Sequence, residues 1–272
     1  MDILQAVLLG IIQGVGEFLP ISSSGHLVIC GELLENVLGT SSDNSDKLLM
    51  NVTLHAGTLL SILVVYRREI WKLRVQPRVI GLIILASIPA GGLGLLFKDL
   101  FESVFATPMV AGVALFVTAG LLVGGQKFER ADLSLPYEEL PFGKAFLIGL
   151  FQAAALIPGI SRSGSTISGG LISGLKRDSA AAFSFLMAIP VIGGAAILKL
   201  KDVVTSEVPL ESGQATALLA GGATAFVVGL FTLRWLVSLI ACGKLHWFAY
   251  YCVGVGTATI IWQLVASVLA VE

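Results

Sequence analysis

The sequence predicts an all-α polytopic membrane protein built as an inverted repeat. Each half is a re-entrant broken helix followed by three transmembrane helices, giving six full spans plus two re-entrant helical hairpins. Three observations carry this expectation. Only 13% of the 272 residues are charged, 56% are apolar and the mean hydropathy is +0.91, whereas soluble domains run about 25% charged. Six runs are long, apolar and uncharged. Two further apolar segments are interrupted in the middle, and they resemble one another. The net charge of −1 offers no basic surface for a phosphate backbone, so nucleic acid is not expected as a partner.

The six runs are Leu48 to Tyr66, Val79 to Phe97, Met109 to Gly125, Ala180 to Leu198, Ala215 to Leu233 and Trp247 to Leu269. Each is close to the ~20 residues that cross about 30 Å of hydrocarbon as a helix. Pro89 and Pro190 fall inside spans and are followed by Gly91, Gly92, Gly193 and Gly194; they are expected to kink the helix and let a neighbour pack closely. Tyr66, Trp71, Trp247, Tyr250, Tyr251 and Trp262 read as interfacial anchors or lipid-facing packing. Cys30, Cys242 and Cys252 lack metal or disulfide spacing and read as packing residues. The first apolar stretch has no basic n-region and no small-residue cleavage site, so no cleavable signal peptide is expected.

The interrupted segments run from Leu4 to Cys30 and from Ala145 to Leu175. Their clusters of proline, glycine and serine would break a helix, and irregular backbone at membrane depth is tolerated only where protein or water satisfies it. Gly10-x-x-Gln13, Pro20 and Gly25 in the first are echoed by Gly149-x-x-Gln152, Pro158 and Gly164 in the second, with an offset of 139 residues between the glycines. Within one membrane domain, 1–272, this gives a first repeat at 1–125, a cytoplasmic connecting loop at 126–143 and a second repeat at 144–272. An odd number of crossings per half places the halves in opposite orientation, as in many transporters. If both broken segments return to the side they entered, twelve Lys and Arg lie on one side and four on the other; if both cross, the split is ten against six. The positive-inside rule favours the re-entrant arrangement, with both termini outside.

Glu17 is the one acid and Arg162 the one base within the apolar segments. A charge at mid-membrane costs at least ~2.5 to 3.5 kcal/mol on insertion scales, so such residues mark function by default. Arg162 stands among Ser161, Ser163, Gly164 and Thr166, a guanidinium fork with hydroxyls and amides suited to an oxyanion. A half-helix beginning near Gly164 would add its dipole. On the other segment Ser22, Ser23 and Ser24 are nucleophile candidates, with His26 as acid or base. Asn51 and His55 share a helix face; hydrogen bonding between helices is the favoured reading for them over a place in a cavity.

Two motifs, Gln13-Gly14-Val15-Gly16-Glu17-Phe18-Leu19-Pro20-Ile21-Ser22-Ser23-Ser24-Gly25-His26 and Pro158-Gly159-Ile160-Ser161-Arg162-Ser163-Gly164-Ser165-Thr166, resemble those of the bacterial undecaprenyl-diphosphate phosphatases, the BacA/UppP family. The resemblance implies removal of the terminal phosphate of undecaprenyl diphosphate, which recycles the carrier lipid for peptidoglycan and is linked to bacitracin resistance. It implies the bacterial cytoplasmic (inner) membrane as location, with the site facing the periplasm or outside, and a polyprenyl diphosphate lipid and the bilayer as partners. Laid onto this sequence, Glu17, His26, Ser23 and Arg162 would be catalytic, Ser23 aligning with the family's implicated serine. Ser22, Ser24, Ser161, Ser163 and Thr166 would join Arg162 in holding phosphate oxygens. Whether serine, histidine or water attacks phosphorus stays open. A divalent cation, Mg or Ca, is expected on Glu17 and Gln13. The family's acidic motif often has two glutamates; here the first is Gln13, which offers a metal only a neutral oxygen, so Glu17 and the substrate's own phosphates would do most of that work. The glycine-rich spans permit a homodimer. The rival reading is a transporter or flippase for a polyprenyl phosphate or other anion, since broken helices meeting at mid-membrane are transporter architecture.

Overall fold

The computed structural model describes residues 2–38, 44–97, 100, 107–130, 132–205 and 214–269. In chain order these form α1 (Ile3–Gly16), α2 (Ser23–Leu38), α3 (Asn44–Val65), α4 (Arg67–Lys72), α5 (Pro77–Leu96), α6 (Pro108–Lys127), α7 (Phe142–Ala154), α8 (Arg162–Ile172), α9 (Arg177–Thr205), α10 (Gln214–Ala241) and α11 (His246–Leu269). Among the described residues there is no strand beyond an isolated bridge between Leu135 and Leu175. Helices α3, α5, α6, α9, α10 and α11 are long and apolar enough to cross a membrane, and they are the six expected spans. The fifth runs on to Ala241 rather than stopping at Leu233. One exposed arginine, Arg234, does not end a helix, because its stem can lie along apolar surface while its head reaches the interface. Most of the expected loop at 98–108 and part of that at 199–215 lie outside the described residues.

Both interrupted segments are broken as expected, α1 from α2 and α7 from α8. Asp2 caps α1, its carboxylate accepting from the amide of Gln5 at 2.7 Å, and the helix ends short of Pro20, whose ring disfavours helical backbone at the residue before it. Ser161 caps α8 by accepting from the amide of Gly164 at 3.1 Å. The half-helix therefore begins at Arg162, two residues before the expected start, and the Gly164 amide is already used.

Each short helix packs most extensively on a long helix of the other half: α1 along α10, and α7 along α5. The glycine that opens each repeated motif lies at the contact. A Cβ on Gly10 would stand 2.6 Å from the carbonyl oxygen of Gly221, and one on Gly149 would stand 2.5 Å from that of Ala86. Small residues let backbones approach in this way. The glycines after the in-span prolines behave differently. Helices α5 and α9 continue through Pro89 and Pro190, and a Cβ on Gly91, Gly92 or Gly194 would meet nothing within 4 Å. Among the described residues no backbone packs closely there, contrary to expectation, and a Cβ on Gly193 would meet only Leu59 Cδ2, at 3.8 Å. Tyr66 also departs from its expected role: it is buried against Phe185, ring centroids 5.8 Å apart, while Trp71, Trp247 and Tyr250 are exposed. Of the cysteines, Cys252 is buried and Cys242 exposed.

Gly149→Ala should lower the melting temperature in detergent, at a cost of about 1–3 kcal/mol for overpacking, because the atoms it would meet are all backbone of Ala86. Gly143→Ala, where a Cβ meets nothing within 4 Å, should leave it within about 0.5 kcal/mol.

Candidate active site

The two breaks lie against each other, and their backbone groups are satisfied across the contact. In the first break Ser22 has φ +70°, and in the second Gly159 has φ +99°. Such a conformation is uncommon outside glycine. At Gly159 glycine is required twice over, since a Cβ would stand 2.3 Å from the carbonyl oxygen of Ala111. The amide of Gly159 donates to Ser22 Oγ at 3.1 Å. Ser163 Oγ donates to the carbonyl of Leu19 at 3.3 Å, and Cys252 Sγ to that of Pro20 at 3.8 Å. Thr118 on α6 serves two groups: its Oγ1 donates to the carbonyl of Gly159 at 2.7 Å and accepts from the amide of Ser161 at 2.9 Å.

This scaffold sets Glu17 and Arg162 side by side. Arg162 Nη2 donates to Glu17 Oε1 at 2.5 Å, and Ser23 Oγ donates to Glu17 Oε2 at 2.7 Å. Gln13 Nε2 is the carboxylate's third donor, on Oε2 at 3.1 Å. The carboxylate is buried, and each hydrogen bond it accepts suits a negative charge. Arg162 also reaches the carbonyl of Ser184 through Nη1 at 3.5 Å and lies 5.8 Å from the Phe185 ring centroid. Since a guanidinium carries five N–H groups, donors remain for a ligand. A cavity of about 150 Å³ opens beside the pair. Its polar lining is Glu17, Ser22, Ser23, Ser24, His55, Gln152, Ser161 and Arg162, and its apolar wall includes Ala90, Leu156, Val191 and Ile192. A serine hydroxyl and a guanidinium on one buried carboxylate are groups that can serve as a nucleophile with its base and as an anion-binding group.

The expected residues separate into three groups. Glu17, Ser22, Ser23, Ser24, Ser161 and Arg162 line the cavity. Ser163 and Thr166 do not; Ser163 holds the first break, and Thr166 shares a 2.6 Å hydrogen bond with Ser184 Oγ. His26 also lies outside the lining. Its Nδ1 is bonded to the carbonyl of Ser22 at 2.8 Å and its Nε2 to the Tyr251 hydroxyl at 2.9 Å, with the two rings stacked. The imidazole that faces the cavity is His55, whose Nε2 lies 3.8 Å from Glu17 Oε2. Thr118, Ser184 and Gln152 were not singled out as site residues from the sequence. A buried polar residue in a span was the available signal, but many spans carry one that only bonds its own helix.

A divalent cation finds a thin donor set here. No group of three or more His, Cys, Asp or Glu is placed to hold a metal among the described residues. Glu17 supplies a carboxylate, and Gln13 supplies a buried Oε1 that has no hydrogen-bond partner. Such a set fits a cation held largely by a ligand's own phosphates.

Comparison with known proteins agrees with the motifs. Residues 6–258 match the family model described as bacitracin resistance protein BacA. An undecaprenyl-diphosphatase of Rhodopirellula baltica is 43% identical over 266 residues, 97% of this chain and 99% of that protein. Those of Alkaliphilus metalliredigens and Methanosphaera stadtmanae are 39% and 35% identical, each over 97% of this chain and at least 99% of the relative.

Thr118→Val keeps the shape of the side chain but strands the Gly159 carbonyl and the Ser161 amide. A loss of about 1–3 kcal/mol per stranded group should appear as a lower melting temperature in detergent and faster amide exchange at 159–162.

Proposed function

Because the chain belongs to the bacitracin resistance protein BacA family, we infer that it removes the terminal phosphate of undecaprenyl diphosphate, releasing undecaprenyl phosphate and inorganic phosphate. It is a multi-pass membrane hydrolase acting on a lipid of the bilayer, in the service of cell-wall synthesis and bacitracin resistance. The transporter reading is not favoured: the relatives compared all carry the phosphatase name.

The observation that supports a catalytic assignment best is the shared carboxylate, with Ser23 on one oxygen of Glu17 and Arg162 on the other. In this reading Ser23 Oγ attacks the terminal phosphorus and its proton passes to Glu17 Oε2. The bond to the bridging oxygen breaks, and undecaprenyl phosphate leaves with that oxygen. That proton leaves Glu17 with the undecaprenyl phosphate; water then attacks the phosphoserine, giving one proton to Glu17, which passes it to Ser23 Oγ as the bond from phosphorus to Oγ breaks and phosphate departs. Arg162 holds the oxygens of the transferred group, where charge is spread in the transition state; positioning and electrostatics carry most of phosphoryl-transfer catalysis. Ser161, Ser22 and Ser24 supply further hydroxyls at the cavity wall. His26, with both ring nitrogens engaged, positions the first break. A divalent cation bound by Glu17, Gln13 Oε1 and the substrate's phosphates would neutralise diphosphate charge.

The halves are read as inverted, with the cavity opening to the outer face and both termini outside, on the charge asymmetry of the loops. The apolar wall of Ala90, Leu156, Val191 and Ile192 is where the prenyl chain would leave the phosphate end.

Phosphate release from undecaprenyl diphosphate by purified protein in detergent tests the chemistry. Arg162→Ala, Glu17→Ala and Ser23→Ala should each lose a factor of about 10²–10³ or more in kcat; unchanged turnover in any of the three would overturn the mechanism. For sidedness, a cysteine introduced between Arg67 and Arg78 should be protected from an impermeant thiol reagent in whole cells, and one between Gly31 and Lys47 labelled. The reverse pattern would invert the orientation.

A further inference from the structure

We propose that His55 is a ligand of the site's divalent cation, and that the cation site of this chain therefore favours a first-row transition ion over Mg or Ca. The proposal rests on the reading above in one respect: the cation belongs to the same diphosphate site.

His55 Nδ1 lies 2.9 Å from the carbonyl of Asn51, one turn back on α3. A carbonyl only accepts, so Nδ1 carries the hydrogen, and in the neutral ring Nε2 is left with its lone pair. Nε2 lies 3.8 Å from Glu17 Oε2, beyond hydrogen-bond length. Glu17 already has its counter-charge in Arg162, and its Oε2 already accepts from Ser23 and Gln13. Nε2 and Oε2 therefore stand near each other at the cavity wall with no hydrogen bond between them, and His55 is the imidazole in the lining. Nitrogen and oxygen ligands of one small divalent ion lie ~2.0–2.2 Å from it, so they stand at most about 4.2 Å apart; the observed separation is within that reach.

A third acceptor points the same way. Gln13 is fully buried, and its Oε1 has no partner while its amide nitrogen holds Glu17 Oε2. Where the family's commoner motif has a second carboxylate, this chain has the neutral amide of Gln13, and the cavity wall carries the imidazole of His55. An imidazole among oxygen donors shifts preference from Mg and Ca toward first-row transition ions.

The test is pulsed EPR of Mn2+ bound to the purified full chain in detergent, with and without methylenediphosphonate. Wild type should show the ¹⁴N coupling of a directly bound imidazole, and protein made with ¹⁵N-histidine should convert it to ¹⁵N, a readout that needs no variant. His55→Gln should abolish the coupling, weaken Mn2+ binding about tenfold or more, and narrow the preference for Mn2+ or Co2+ over Mg2+ in competition. Absence of the nitrogen coupling in wild type overturns the proposal, whether Mn2+ binds through phosphate alone or does not bind; so does coupling that persists in a folded His55→Gln protein. Phosphate release is scored separately, so failure of the phosphatase reading is not confused with failure of this one.

Discussion

The structure depends on one constraint: two helices are broken in the middle of a protein that lives in lipid, and the backbone groups released there must find partners inside the chain. The carbonyls of Leu19, Pro20 and Ser22 are met by Ser163, Cys252 and His26. The carbonyl of Gly159 and the amide of Ser161 are met by Thr118, and the amide of Gly159 by Ser22. Several of these partners come from the opposite half of the chain, so each break is complete only when the other is docked. An unsatisfied buried donor or acceptor costs ~1–3 kcal/mol, and this collection makes the crossing of the breaks a cooperative unit rather than a loose contact.

The same crossing brings the buried charges together. Glu17 follows the end of α1 and Arg162 opens α8, so neither helix alone can neutralise its charge. A buried pair adds little net stability compared with apolar packing, but leaving one partner alone costs ~3–5 kcal/mol. The pair thus enforces the docking of the halves, and it places a guanidinium at the wall of the cavity. An anion entering beside Arg162 meets a guanidinium with donors to spare, while Ser23 stays on the far oxygen of Glu17.

Much of this was legible in the sequence because it is local. A span is a run of about twenty apolar residues whatever its neighbours are, and all six expected runs are helices. A proline-serine-glycine cluster breaks a helix by its own chemistry, and the breaks fall where they were expected. Glu17 and Arg162 stand out because a charge is costly at membrane depth wherever it points. Direction was not legible. His26 sits in the motif yet turns to Tyr251, a residue 225 positions away; His55, for which the sequence favours hydrogen bonding between helices over a place in a cavity, lines the cavity. Ser163 and Thr166 adjoin Arg162 in sequence, but on a helix neighbouring positions face different ways, and they bond to Leu19 and Ser184 instead.

The sequence by itself therefore determined the solvent of this protein, the number of its spans, the two places where a helix must stop, and the two charges that must be answered inside. These follow from hydropathy, backbone chemistry and desolvation, which act residue by residue. Only the tertiary structure decided which imidazole meets the carboxylate, which hydroxyls line the cavity and which hold the breaks, and that Thr118 secures the loop before Arg162. Those are matters of which helix faces lie within about 3 Å of one another, and that distance is set by packing between residues remote in the chain.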